Sequence, residues 1–255
     1  MTNKAESELR RFLRDHRTAE DDRRKTHSLF DKGLLVNVRG PFRITDREKN
    51  KFYELYSRAY HSGIRLTMIE LKPSRKWPFF LDLDGKPETT PIINKFIEPI
   101  KRALVEVIVP RTIEFAFGSR KFDIVLQCKA NNPLRCHMFL EPLSVIVLDT
   151  ETAHIVRRFL IRACLEWSKS ALPKAIPEVE LNHFIDKIMQ NQVGLRMYGS
   201  FKPKDLSDVS YVQKGYPVSV DSLHRFSIQP VGIAKMSVTK LTARITRWYK
   251  SEQSD

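Results

Sequence analysis

"FFLDLDGKP", residues 79–87, decides how the rest of the sequence is interpreted. An apolar run ends there in two aspartates, Asp82 and Asp84, which are one residue apart and precede a glycine turn. Successive side chains of a β-strand point to opposite faces, so Leu81 and Leu83 share one face while the two aspartates share the other. The pattern therefore predicts a strand with an apolar face and a carboxylate pair opposite it.

The carboxylate pair needs a physical explanation, because like charges on one face of a strand repel each other. Aromatic residues precede the acids, and an unpaired ion beside such bulk is costly. A divalent cation between the two carboxylates removes both problems, and all-oxygen ligands favour Mg²⁺ or Mn²⁺ over zinc. The alternative is a pair of solvated acids at a strand end, since two acids at this spacing are by themselves a weak signal.

A second stretch, "NPLRCHMFLEP" at 132–142, also reads as a strand. By the same alternation Arg135, His137 and Phe139 share one face. An arginine beside a histidine is suited to binding an anion such as a phosphate. The alternative is a histidine packed in the core with one hydrogen bond.

A third stretch runs from 183 to 204, "HFIDKIMQNQVGLRMYGSFKPK". Asp186 is an acid within an apolar run, and we expect the segment around it to be extended or partly so. Ten residues later, an extended "LRMYGSFK" would place several phosphate-binding donors and an aromatic ring on one face. These residues are Arg196, Tyr198, Ser200 and Lys202. The alternative is a solvated edge strand, because basic residues commonly protect sheet edges.

The remaining pattern predicts an α+β fold, with a mostly antiparallel sheet and helices packed against it. Helices and strands alternate, and neighbouring strands are close enough in sequence to pair directly. We predict helices at 4–30, 46–63, 89–110, 151–170 and 238–250, a hairpin at 33–45, and strands at 64–72, 77–85, 112–119, 121–130 and 134–149.

The charge of the chain points to a polyanionic partner. The 255 residues carry a net charge of +14, which favours nucleic acid, and no segment approaches the roughly 20 apolar residues of a membrane span. The alternative is a basic, solvated surface. Clustering of basic residues suggests nucleic-acid contacts at Arg10, Arg11, Arg14, Lys121, Lys129, Lys240, Arg244, Arg247, Trp248 and Lys250.

The cysteine pattern argues against a zinc element or a disulfide framework. The three cysteines form no CxxC pair, which indicates a reducing intracellular compartment. The first 30 residues are charged throughout and lack the apolar stretch of a secretory signal.

Taken together, the three stretches resemble the archaeo-eukaryotic primase (AEP) superfamily over roughly residues 30–230. The similarity is greatest to the primase domains of large DNA virus primase–helicases and to primase–polymerases. "FLDLD" is similar to the first motif of that family, "RCH" to the SxH of the second, and "FIDK" with "LRMYGSFK" to the third. "LHRFSIQP" is similar to a segment that follows the third motif in viral members. Arg135 departs from the pattern, because the family usually has serine there.

The resemblance implies a two-module AEP fold with an RRM-like, mostly antiparallel sheet and flanking helices. We expect a basic N-terminal helix or arm at 1–30 and a primase catalytic domain at 31–235. Within that domain, 31–68 forms an N-terminal module and 69–235 the RRM-like catalytic module. A basic C-terminal helix and tail follow at 236–255.

The resemblance also implies a primase or polymerase that copies a single-stranded DNA template from NTPs or dNTPs during replication. Asp82, Asp84 and Asp186 would hold two Mg²⁺ or Mn²⁺ ions. The nucleotide would be bound by Arg135, His137, Arg196, Ser200 and Lys202. A replicative helicase is an expected partner, although the sequence contains no GxxxxGK[ST] phosphate loop of its own. If the chain is viral, it would act in the host cytoplasm or nucleus.

Two other functions stay open. A metal-dependent nuclease also needs clustered acids and a basic surface, but it would hydrolyse DNA without nucleoside triphosphates. A non-catalytic module that binds single-stranded nucleic acid would use the acids structurally, and its binding would not depend on metal.

Overall fold

A computed structural model gives the fold of the chain. It describes the backbone of residues 4–29, 38–73, 77–84, 90–104, 123–129, 132–141, 147–187, 194–201, 212, 217–229, 243 and 245–247. Side chains are described for all of these except residues 90–95, 123–129, 132–135, 141 and 147.

Helices and strands alternate along the chain, as the α+β prediction requires. The helices are α1 Lys4–Asp15, α2 Lys49–His61, α3 Thr90–Ala103, α4 Thr150–Ala171, α5 Glu178–Phe184 and α6 Val220–Arg225. The strands are β1 His27–Leu29, β2 Gly40–Phe42, β3 Met68–Glu70, β4 Trp77–Pro78, β5 Phe80–Asp84, β6 Asp123–Lys129, β7 Asn132–Glu141, β8 Val147–Leu148 and β9 Leu195–Arg196. The α+β prediction is confirmed.

The chain forms two compact units, and each is built from separate segments of the sequence. The first unit contains residues 1–74, 127–133 and 192–231, and the second contains 75–126, 134–191 and 232–255. The units are discontinuous because strands far apart in the chain, such as β3 and β9, pair within one unit.

The first unit is built on a four-stranded sheet in the order β2–β1–β3–β9, and every neighbouring pair is antiparallel. Helix α2 supplies much of its core through Phe52, Tyr53 and Tyr56, which are fully buried. Helix α1 packs on α2 through buried apolar side chains, with the Phe12 and Phe52 rings stacked at 5.9 Å. The amphipathic pattern of both helices thus accounts for how they cover the sheet.

The helix predicted at 4–30 is wrong beyond Asp15. The backbone turns there, because Thr18 N–H donates to the carbonyl of Pro41 and Arg43 N–H donates to that of His16. Residues 27–29 then form β1, which pairs with β2. The strand at 40–42 therefore pairs outside the segment predicted as a hairpin at 33–45, of which residues 33–37 lie outside the described residues.

Most residues of a three-stranded sheet in the order β5–β7–β6, and a two-stranded ladder of β4 with β8, belong to the second unit. Three helices pack together beside these strands, and Phe96 of α3 contacts the rings of Trp167 at 5.2 Å and Phe184 at 5.9 Å. Asp149 caps α4 by accepting a 2.9 Å hydrogen bond from Thr152 N–H, which fixes where this 22-residue helix begins.

Two other sequence predictions can be compared here. The segment at 183–189 is expected to be extended or partly so; His183 and Phe184 form the last turn of α5, and the backbone is extended at Ile185. The strand predicted at 112–119 lies outside the described residues. No helix among the described residues is long and apolar enough to cross a membrane.

Candidate active site

Pairing of β5 with β7 brings the first two sequence motifs together. The strands are antiparallel, and their register places Asp82 opposite His137, Asp84 opposite Arg135, and Phe80 opposite Phe139. Directly opposed residues of an antiparallel pair project from the same face of the sheet. The acids and the basic residues are therefore neighbours across the ladder.

The alternation predicted for β5 is present. Leu81 and Leu83 are fully buried, whereas the side chain of Asp82 keeps 20% of its surface exposed and Asp84 is also half-buried. The apolar face anchors the strand in the second unit by burial of its leucines. The opposite face holds the two carboxylates where solvent, and hence a solute, can reach them.

His137 is buried and faces the first acid. Its side chain is 2% exposed, and Nε2 lies 3.8 Å from Oδ1 of Asp82. The ring of Phe139 packs against the imidazole edge to face, with centroids 6.3 Å apart. The histidine is thus a packed residue, as the conservative interpretation of the sequence had it, and it also stands beside the acid pair.

The segment that contains Asp186 pairs with β5 on the side opposite β7. Its backbone N–H donates a 2.9 Å hydrogen bond to the carbonyl of Asp82, and Ile185 forms an antiparallel bridge with Leu83. Antiparallel pairing through that bridge sets Asp186 opposite Asp82. Asp186, Asp82 and His137 therefore form one row across three neighbouring backbone segments. The main chain thus brings together three motifs that are far apart in the sequence.

Arg157 contacts this row indirectly and was missed by the sequence analysis. It lies on α4, and its Nε donates to the carbonyl of Ile185 at 2.8 Å. Its two terminal nitrogens donate to Asn182, one to the side-chain oxygen at 3.2 Å and one to the carbonyl at 2.6 Å. Burial lowers the pKa of Arg157, and the negative charge of Asp186 opposes that shift. A signal was present, since Arg157 occupies a position on the apolar stripe of its helix.

The predicted row of phosphate-binding residues after Asp186 is not formed as expected. Arg196 lies on β9 of the first unit, where its half-buried position pairs with Ile69. The backbone then turns, because Gly199 adopts a φ of 81°, so the stretch is not extended through Ser200. Lys202 lies outside the described residues.

Ser200 occupies an interior position in the first unit. It is fully buried, its hydroxyl forms a 2.7 Å hydrogen bond with the Tyr56 hydroxyl, and it accepts a 3.1 Å bond from Met68 N–H. These contacts account for the serine by packing alone, and they give no support to its predicted contact with nucleotide.

The predicted nucleic-acid contacts are only partly described. Arg11 and Arg14 are exposed on α1, whereas Arg10 is paired with Glu6. Arg247 is an exposed helical residue. The side chains of the others, Lys121, Lys129, Lys240, Arg244, Trp248 and Lys250, lie outside the described residues.

The acids of the row have the chemistry of metal ligands, but their side chains are not close enough together to hold an ion. Asp82, Asp84 and Asp186 offer only carboxylate oxygens, the ligands that Mg²⁺ and Mn²⁺ prefer. Within the part of the chain that the structure describes, however, no three His, Cys, Asp or Glu side chains are gathered closely enough to hold an ion. Cys136 and Cys164, whose thiols the structure describes, are buried and form no disulfide bond.

The fold and the row of motifs define the class of the protein as an α+β domain of the AEP type. A family model described as the C962R protein N-terminal AEP domain matches residues 34–216, well over half of the chain. The chain therefore belongs to this family of AEP domains, and the resemblance predicted from the three motifs is confirmed. A search of the curated proteins found no match.

Proposed function

We propose that the protein is a primase or polymerase that synthesises or extends a strand on a single-stranded DNA template. Membership of the AEP superfamily supports nucleotidyl transfer in general. The observation that carries the specific proposal is the row in which Asp186 and His137 flank Asp82 through main-chain pairing. This row joins the three motif segments that the chemistry requires.

In this proposal Asp82, Asp84 and Asp186 would hold the divalent ions. Bound ions of this kind activate a 3′-hydroxyl nucleophile and neutralise charge on the triphosphate. Asp82 is the central member of the row, with Asp186 opposite it and Asp84 on its own strand, so these three acids would supply the carboxylate oxygens for the ions. The carboxylates thus set where an incoming triphosphate is positioned.

His137 and Arg135 would act on the phosphates. His137, with Nε2 3.8 Å from Asp82, would donate a hydrogen bond to a phosphate oxygen of a nucleotide bound beside that acid. Arg135 is opposite Asp84 in register, and a guanidinium contacts a triphosphate more strongly than the serine hydroxyl that it replaces.

The basic excess would bind the template. Exposed cations such as Arg11, Arg14 and Arg247 are available for phosphate contacts. Binding dominated by such contacts weakens steeply with salt, because each neutralised phosphate releases a counterion. A replicative helicase as partner and an intracellular, viral setting belong to the same proposal.

The decisive experiment is synthesis on a single-stranded template with labelled nucleotides and Mg²⁺ or Mn²⁺, with and without a primer. Asp82→Asn should lower the rate by roughly 10³-fold or more, because several kcal/mol of transition-state stabilisation depend on the ion site. Its melting temperature should stay the same or rise slightly, since the change removes one of several neighbouring like charges. The matched control is Asp15→Asn, an exposed acid on α1, which should retain full activity.

The outcomes separate the candidate functions. Products that appear without a primer and vanish in Asp82→Asn support a primase, and extension of a supplied primer alone supports a polymerase. Cleavage of DNA with Mg²⁺ and without triphosphates identifies a nuclease. Salt-sensitive binding with neither reaction, unchanged by Asp82→Asn, identifies a binding module and refutes the proposal.

A further inference from the structure

We propose that Arg157 is a positioning residue that holds the Asp186 segment against β5. Nothing in the three motifs includes it, because it comes from helix α4, midway between the second and third motifs in the sequence. Its effect on catalysis rests on the function proposed above, whereas its effect on the segment can be measured independently.

The contacts of Arg157 converge on the end of α5. The side chain is 4% exposed, and its guanidinium binds two main-chain carbonyls, those of Asn182 and Ile185, together with the amide oxygen of Asn182. Carbonyls in the last turn of a helix lack partners within the helix and carry partial negative charge. Arg157 therefore donates hydrogen bonds to the carbonyls at the end of α5, next to Asp186, where the chain leaves the helix.

That exit determines where the third acid lies. Ile185 is extended, with φ −92° and ψ 95°, and this conformation lets it bridge to Leu83 while the next N–H reaches the carbonyl of Asp82. If the carbonyls of Asn182 and Ile185 lost their donor, the last turn of α5 would be free to rearrange. Asp186 would then lose its fixed position opposite Asp82.

The geometry requires an arginine and not simply a positive charge. A planar guanidinium presents its N–H donors in a fixed fork, which suits three acceptors around one point. A lysine at this position keeps the charge near Asp186 but offers a single compact donor group. Arg157→Lys therefore separates geometry from charge, and Arg157→Met removes both.

The first readout is hydrogen exchange at the Asp186 amide, without metal or nucleotide. This N–H is bonded to Asp82, so its exchange rate reports directly on the pairing. Loss of the Arg157 hydrogen bonds should accelerate exchange by about 10- to 100-fold in Arg157→Met, and by a smaller factor in Arg157→Lys. The matched control is Arg162→Met on the same helix, where the arginine is half exposed and paired with Glu166 at 2.8 Å.

The second readout is the site itself. Substitution of residues that orient ligands typically costs about 10- to 100-fold in metal affinity or activity. We expect Arg157→Lys to weaken Mn²⁺ binding, titrated by its paramagnetic signal, within that range. We also expect Arg157→Lys to lower kcat while changing KM for the nucleotide little, because Asp186 is misplaced while the phosphate contacts are kept.

The two readouts distinguish failure of the positioning role from failure of the proposed function. Unchanged exchange at Asp186 in Arg157→Met, or an Arg157→Lys variant equal to wild type in every measurement, would overturn the positioning role. If Arg157→Met unfolds, Arg157→Lys decides the question. Accelerated exchange in a protein whose wild type neither binds Mn²⁺ nor synthesises DNA would uphold the positioning role and refute the proposed function instead.

Discussion

Replacement of Glu70 tests the structure of the first unit, because this acid is a charged side chain in its interior. Its Oε1 accepts hydrogen bonds from the hydroxyls of Tyr53 at 3.1 Å and Ser227 at 2.9 Å, and its Oε2 accepts from Ile228 N–H at 2.6 Å. His27 Nε2 lies 3.6 Å from Oε1. Glu70→Met keeps the approximate volume of the side chain and removes the acceptor shared by these groups.

The expected loss of unfolding free energy in Glu70→Met follows from the hydrogen-bond donors that are left without an acceptor. A buried donor without a partner costs about 1–3 kcal/mol. The N–H of Ile228 is fixed by the backbone and should cost the upper part of that range, whereas the two hydroxyls can rotate and should cost the lower part. The sum is about 4–5 kcal/mol, at the upper end of what loss of one partner of a buried charged pair costs. This is a large fraction of the roughly 5–15 kcal/mol that stabilises a typical domain.

The assay is urea unfolding at pH 7 followed by circular dichroism, with hydrogen exchange to locate the effect at 68–70 and 226–229. The control is Glu54→Met, an exposed acid of α2 that lies 3.8 Å from Lys51, and its free energy of unfolding should change by no more than about 0.5 kcal/mol. A loss below about 1 kcal/mol in Glu70→Met, or faster exchange spread evenly over the chain, would refute the reasoning.

Two further predictions concern the same unit. Burial acts to raise the pKa of Glu70, but the His27 imidazole 3.6 Å away and the hydrogen bonds from Ile228 N–H and Ser227 hold that pKa below its ordinary value. This acid therefore stabilises the fold fully above its unfolded pKa, and the contribution is lost as the pH falls through the lower folded pKa. The difference in unfolding free energy between wild type and Glu70→Met should shrink between pH 5 and pH 3, and a difference that grows would contradict the assigned sign. Gly199→Ala should destabilise by about 1–3 kcal/mol more than Gly63→Ala in thermal or urea melts. Both glycines have a φ near 80°, but a Cβ at Gly199 meets Val218 at 2.9 Å, whereas at Gly63 no described atom lies within 4 Å. Equal losses of stability in the two variants would show that the positive φ alone, and not the contact with Val218, sets the cost.

The sequence predicted what depends on neighbouring residues. Strand alternation at Asp82 and Asp84 follows from local chain geometry, and so does the amphipathic pattern of α4. Register is different, because the pairing of Asp82 with His137 depends on contacts between distant segments. The motif resemblance predicted that the three acids lie together. No local pattern in the sequence predicts the hydrogen bond from Asp186 N–H to the carbonyl of Asp82.

The errors have similar physical causes. The stretch after Arg196 alternates as a strand should, yet one glycine with positive φ turns the chain and Ser200 is directed into the core. Arg157 resembled an ordinary basic residue of a surface helix, although its place on the apolar stripe indicated burial. The sequence analysis also missed Glu70, because its partners come from three separate parts of the sequence.

The discontinuous first unit has a consequence for biosynthesis. Glu70 and the N–H of Ile228 are 158 residues apart, and ribosomes add about 5–20 residues per second, so roughly 8–30 s separate the two. Until β9 is made at residues 195–196, β3 lacks that neighbour, and until Ile228 is made the Glu70 side chain lacks the backbone donor that later binds it. An unpaired strand edge of this kind is prone to aggregate. Nascent chains stalled after residue 186 but before residue 195 should therefore depend on chaperones, although every residue of the row around Asp82 has already been made.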